Sequence, residues 1–487
     1  MNLFSFEYQL FVIFLFIICF YFAKKKSKRI IVLIIASYVF YFLWNEFFLF
    51  FLVLSTIINY YFAKLIFKSE SGTTKKKYFI SLLIINIGTL LFFKYTNFII
   101  ENINILLTVL ELKKLTLQKI NISSPIGISF YTFQVITYSF DIYWGFLKPC
   151  GSFFKFSLFS CFFPQVLAGP ISQAKDFLPQ IENDRFDTDS TGEGFLLIFK
   201  GLIKKTAIAD LLAFCLVNKV FAEPAKYNTI ELVCALYGYA FQIYYDFSGY
   251  TDIAIGSGLL FGYKLPENFK KPYLAVSPAD FWNRWHISLS IWFKKYLYNA
   301  IAMFFIRRGQ SVFHKYSPII FTMTIIGLWH GANWTFILFG FYWGILLFFE
   351  KIIDAGRKKN KSKHIAKIKS SNLLKALESP FLKTFFLFQL ICFGWIFFRS
   401  DSIKNIYVFL KSLLNFSLSF KILDYKLILL LFIAGCLHFV PEKAYSYLSL
   451  NFRTKMPELV QAIVYMFLIG FIMAVSTSQI TFIYFKF

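Results

Sequence analysis

None of the seven cysteines in this sequence has the spacing of a chemical partner. Cys19, Cys150, Cys161, Cys215, Cys234, Cys392 and Cys436 make no CxxC pair and no Cys/His ligand set. Most lie in apolar runs, where cysteine behaves as a small hydrophobe. A disulfide framework and a zinc site are both unsupported, and no metal is implied. Equally missing are a GxSxG nucleophile elbow, an HExxH helix, a P-loop and a GxGxxG turn after a strand. Hydrolase, metalloprotease and nucleotide-driven chemistry thus lose their usual signatures. Acidic residues are scarce too: 26 Asp and Glu face 51 Lys and Arg, a net charge of +25.

That excess does not read as a nucleic-acid footprint. The lysines sit in short clusters between hydrophobic spans: Lys24 to Arg29, Lys75 to Lys77, Lys204-Lys205, and the stretch from Arg357 to Lys369. Loops of this kind mark the cytoplasmic side of a membrane protein. What is abundant is apolar surface, with 58% hydrophobic residues, 68 Phe and 29 Tyr among 487. Runs of about twenty such residues cross a hydrocarbon core of roughly 30 Å as a helix. The alternating weak strands of an outer-membrane barrel are absent.

Hydrophobic segments lie near 8–23, 30–44, 47–67, 78–100, 126–146, 195–222, 230–262, 317–329, 332–350, 380–398, 426–440 and 459–475. The predicted fold is all-α and polytopic, with about 11–12 transmembrane helices. Met1 to Ala23 lacks a basic region and a small-residue cleavage site, and is read as a retained first helix. With 24–29 and 68–77 cytoplasmic, the basic loop 351–375 and the last loop 441–458 are cytoplasmic as well. The stretch 162–170 is apolar yet broken by Pro164, Gly169 and Pro170. Irregular backbone at membrane depth needs protein or a water-filled cavity around it, so this stretch is expected to be re-entrant. An interfacial connection is the alternative.

Trp329-His330-Gly331 lies inside an apolar run. An imidazole there is costly unless paired or used, and its ordinary pKa suits proton transfer. The plainer reading is a core histidine bonded to a neighbouring helix. Gly327/Gly331 and Gly340/Gly344 are GxxxG pairs that permit close helix approach under either reading. A second polar constellation runs from Ser277 to Tyr298. Ser277, Pro278 and Asp280 open it as a capped helix, Asp280 and Arg284 can pair at i,i+4, and His286, Ser290 and Lys294 form another such ribbon. Trp282, Trp285 and Trp292 suit a membrane boundary or a pocket. Asp246 and Asp252 form a third patch. They are expected to orient a base or a substrate hydroxyl, or else to hold helices in register. An intramembrane row of His and Asp would also serve a transporter or channel.

Five blocks then occur in order: FFPQVLAGPI (162–171), YYDFSGYTDIAIGSGLLFGYKLPENFKKPY (244–273), DFWNRWHISLSIWF (280–293), GLWHGANWTFILFGFYWG (327–344) and GWIFFRSD (394–401). On these the chain resembles the membrane-bound O-acyltransferases, specifically the bacterial branch of alginate and peptidoglycan O-acetyltransferase membrane subunits. The resemblance implies helices around a central tunnel in a bacterial plasma (inner) membrane, with a catalytic core at 121–400 between helices 1–120 and 401–487. His330 corresponds to the family's invariant histidine and would act as general base, with His286 as the second catalytic histidine. Arg284, Trp285, Trp329, Asn333, Asn283, Asp246 and Asp252 would shape the pocket. The implied donor is cytoplasmic acetyl-CoA, with no bound cofactor. The implied acceptor is an extracytoplasmic glycan, served by a separate extracytoplasmic esterase-like partner protein. Teichoic-acid D-alanylation is the second activity within the family. One departure stands out: Lys294-Lys295 replaces the usual Arg-Asp, and the Gly-Gly turn that follows it is missing.

Overall fold

Helices build every element among the residues described by the computed structural model. These are 2–22, 25–121, 123–183, 188–362, 379–416, 419–475 and 482–486. Lys24 and the basic positions 363–369 lie outside them. Among the described residues the only strand-like feature is an isolated antiparallel bridge between Phe269 and Trp285. Among the described residues four helices are long and apolar enough to cross a membrane: Glu46–Lys68, Gly72–Val109, Trp334–Arg357 and Pro380–Arg399. Tyr425–Phe439 and Glu442–Lys455 add a fifth if this pair, bent by 85°, counts as one span. The polytopic all-α reading is borne out, although several of the predicted spans are shorter or broken.

The chain divides into two compact units, one of residues 1–201 with 250–266, the other of 202–249 with 267–487. In the first, Asn45 caps the helix Glu46–Lys68 by accepting from the Phe47 and Phe48 amides. The next helix, Gly72–Val109, has 38 residues, about 57 Å at 1.5 Å each, well beyond a hydrocarbon core. Its far end carries Asn97 and Asn104, which bond the backbone of Ile120 and Leu117 in both directions. Buried Asn59 and Asn86 exchange hydrogen bonds of 3.0 and 3.1 Å between the two helices. Polar pairs of this kind hold helices together where burial from water cannot.

Residues 161–172 are all buried, so the Pro-broken stretch does not lie on a surface. Its backbone is met by protein. The Phe163 amide donates to Ser37, Gln165 donates to the Phe159 carbonyl, and Ser172 donates to Gln165 at 2.7 Å. This is the compensation that irregular backbone requires.

The predicted span 195–222 is not one regular helix. Wide turns at Lys204–Ala209 and Ala213–Val217 interrupt it. Such bulges often accompany function. Here Lys205, read from sequence as part of a basic cytoplasmic cluster, is buried. The connection 441–458, expected as a loop, contains the helix Glu442–Lys455, which starts where Pro441 ends the preceding one.

Candidate functional site

The helix predicted from Ser277 onward starts as expected and then breaks. Ser277 accepts the Asp280 amide at 3.2 Å, and Asp280 accepts the Val276 amide at 3.1 Å. Asp280 also pairs with Arg284 at 2.7 Å. The helix ends at Trp282, however, and a new one runs from Ile287 to Phe293. The continuous ribbon of His286, Ser290 and Lys294 is therefore corrected: His286 precedes the second helix. The cause is a competing set of bonds from the preceding strand-like segment. The Lys270 amide donates to the Arg284 carbonyl at 2.9 Å, and the Ile287 amide to the Asn268 carbonyl at 3.0 Å.

His286 turns through the left-handed region, with φ +44°. For a side chain with a Cβ this costs about 1–2 kcal/mol, and such strain clusters at functional sites. Asn268 sets the ring. Its Oδ1 accepts from the Ser288 amide at 3.1 Å and the Ser288 hydroxyl at 2.8 Å, and lies 3.3 Å from His286 Nδ1. An oxygen in that role is an acceptor, so Nδ1 carries the hydrogen and Nε2 keeps the lone pair.

His330 is the last residue of the helix Val312–His330, which forms a hairpin with the helix beginning at Trp334. Asn333 caps the second helix by accepting the Thr335 amide at 3.0 Å, and its own amide donates to the Asp401 carbonyl at 3.0 Å. The two helices touch at their glycines. A methyl on Gly340 would meet the Gly327 Cα at 3.0 Å and the Thr324 Cα at 2.9 Å. Close approach there carries His330 inward, to 3% exposure.

Both histidines face the same two aromatic rings. Trp329 lies 6.1 Å from His286 and 4.9 Å from His330, centroid to centroid. Tyr484 lies 6.1 Å from His286 and 5.7 Å from His330. Phe247, 4.7 Å from His286, and Phe398, 5.1 Å from His330, close the sides. Trp285, next to His286 in the chain, packs on Trp395 at 5.0 Å. The two imidazoles thus belong to one buried, largely aromatic cluster.

The remaining predicted residues go elsewhere. Asn283 is exposed, and Arg284 is held by Asp280. Asp252 belongs to the first unit and pairs with Lys200 at 3.6 Å. Asp246 belongs to the second, where Lys205 bridges it at 2.8 Å and Asp210 at 2.9 Å. Tyr484, Phe247 and Asn268 escaped the sequence reading. Among the charges inside the apolar run 195–222, Lys205 and Asp210 were the hint of the ion cluster. Among the described residues no group of three or more His, Cys, Asp or Glu is placed to hold a metal ion.

Comparison with known proteins adds a second line. The model of the MBOAT, or membrane-bound O-acyltransferase, family matches residues 150–395. The probable alginate O-acetylase AlgI of Pseudomonas aeruginosa is 34% identical over 68% of this chain and 59% of its own. The peptidoglycan O-acetyltransferase of Helicobacter pylori is 33% identical over 68% of this chain and 64% of its own. The teichoic acid D-alanyltransferase of Bacillus subtilis is 28% identical over 57% of this chain and 69% of its own. The match to the alginate relative thus spans about three-fifths of that protein's length.

Proposed function

This chain belongs to the membrane-bound O-acyltransferase family, and from that premise we propose that it acetylates hydroxyls of an extracytoplasmic glycan. The donor is acetyl-CoA on the cytoplasmic side, whose phosphates suit the basic face. The observation that carries the reading is the pair of buried histidines sharing Trp329 and Tyr484.

His330 acts as general base. Its imidazole takes the proton from the attacking hydroxyl as that oxygen bonds to the thioester carbonyl carbon. The C–S bond then breaks, and the thiolate takes a proton back from the imidazolium. The products are an O-acetyl ester and free thiol. A positioned base of this kind contributes about 10²–10⁴-fold. His286, with Nε2 as its basic atom, stands across the cluster and assists binding or activation. A dry, aromatic lining strengthens each charge that develops and keeps water from the ester. A separate extracytoplasmic protein completes delivery to the polymer.

Asp246 and Asp252, the acids a proton pathway would need, are each engaged by a lysine, which favours acyl transfer over transport. The D-alanyltransferase relative keeps a second acyl group in view. Label transfer from acetyl-CoA by purified protein in proteoliposomes tests the reading. Solute flux without any acyl transfer would overturn it. O-acetyl analysis of surface glycans in a deletion strain would name the acceptor.

A further inference from the structure

Asp246 is buried, with 2% of its side chain exposed, and both of its oxygens are committed. Oδ1 meets Lys205 Nζ at 2.8 Å. Oδ2 accepts the backbone N–H of Ile483 at 2.9 Å. Lys205 also meets Asp210 at 2.9 Å, so one ammonium stands between two carboxylates. The Ile483 amide meets the Asp246 oxygen that Lys205 leaves over. Hydrogen bonds to an ionised acceptor are about twice as strong as neutral ones.

Ile483 lies between Phe482 and Tyr484, and both flanking rings pack on Phe247, the residue after Asp246. The centroid distances are 5.8 and 4.3 Å. Bond and stack together tie a short piece of chain, far away in sequence, to one turn of the helix Thr229–Leu260. From that anchor the Tyr484 ring reaches both histidines.

We propose that Asp246, charged against Lys205, is a positioning residue that holds the segment Phe482–Tyr484 in the aromatic cluster through the Ile483 amide. Resting on the acyl-transfer reading above, it gives Asp246 a part in catalysis without contact with donor or acceptor. The charge belongs at 246 because a buried carboxylate binds a backbone N–H more firmly than an amide oxygen does.

A double-substitution cycle with a labelling arm tests this in the full-length protein in proteoliposomes. Asp246→Ala should lower kcat about tenfold and leave KM for acetyl-CoA unchanged. Combined with Tyr484→Ala, it should be no slower than Tyr484→Ala alone, because both act through one segment. In the second arm, residue 484 is replaced (Tyr484→Cys), and maleimide labelling is followed by mass spectrometry on the peptide containing it. Adding Asp246→Ala should raise the labelling rate about tenfold. Where Asp246→Ala does not fold, Asp246→Asn keeps the shape and should show the same changes in smaller measure. Penalties that multiply in the double variant, or labelling that does not change, would overturn the proposal. Faster labelling in a protein that transfers no acetyl group would uphold the positioning and sink the acyl-transfer reading instead.

Discussion

The ring of Tyr484 stands 5.7 Å from that of His330, inclined at 56° to it. The same ring lies 6.1 Å from His286, so one side chain touches the surroundings of both imidazoles. No interval in the sequence announces this, since 154 positions separate Tyr484 from His330 (484 − 330). The contact brings a stretch from the far end of the sequence to both histidines. Its consequences can be measured.

His330→Ala should abolish most label transfer from acetyl-CoA, by about 10²–10⁴-fold, while the protein still inserts and purifies as the wild type does. His330→Gln should fare no better, since an amide fills the space and cannot take the proton. Transfer at the wild-type rate by either variant would end the general-base assignment.

Asn268→Ala should leave the fold intact and slow the reaction. Without Oδ1 the His286 ring loses the contact that sets its tautomer. A misplacement of about 1 Å can cost roughly 10²-fold in rate. The loss should appear in kcat, with KM for the donor little changed. A change in KM alone would assign Asn268 to binding.

Two glycines should respond with opposite sign. In Gly327→Ala the new methyl meets the Phe336 carbonyl and the Gly340 backbone, so the hairpin carrying His330 must open. Overpacking of this kind costs about 1–3 kcal/mol. Gly88 has nothing within 4 Å of the added carbon. Gly88→Ala should be neutral or stabilising by up to about 1 kcal/mol, from helix propensity alone. Thermal unfolding in detergent compares the two, and equal shifts would refute the close-packing argument.

Asn59 and Asn86 should couple. Each single change to Ala leaves a partner amide behind, so the double variant should cost less than the sum of the two. Interhelical bonds of this type average about 0.6 kcal/mol and reach about 1.7. A cycle of unfolding midpoints in detergent reads this directly, and strict additivity would show that the pair does nothing across the helices.

Much of the fold was legible for a simple reason. A run of twenty apolar residues has few alternatives to a helix, and helices such as Glu46–Lys68 and Pro380–Arg399 lie where the hydrophobic pattern put them. The misreadings share a cause as well. Lys205 looks like a loop charge because sequence shows its basic neighbour, Lys204, and not its partner at 246. The helix through His286 looks continuous because Asn268, which draws the backbone out of it, lies 18 positions earlier.

By itself the sequence determined that this is a helical membrane protein of an acyl-transferring family, and it singled out His330 and His286. Local chemistry was enough for His330, because an imidazole among apolar residues is conspicuous, while the family and His286 came from the ordered blocks. Tertiary structure alone decided what surrounds them. Only packing brings Tyr484 and His286 to the Trp329-His330 pair and ties Asp246 to Lys205. Burial makes those choices: a charge or polar atom taken out of water must find a partner in space, however far along the chain that partner lies.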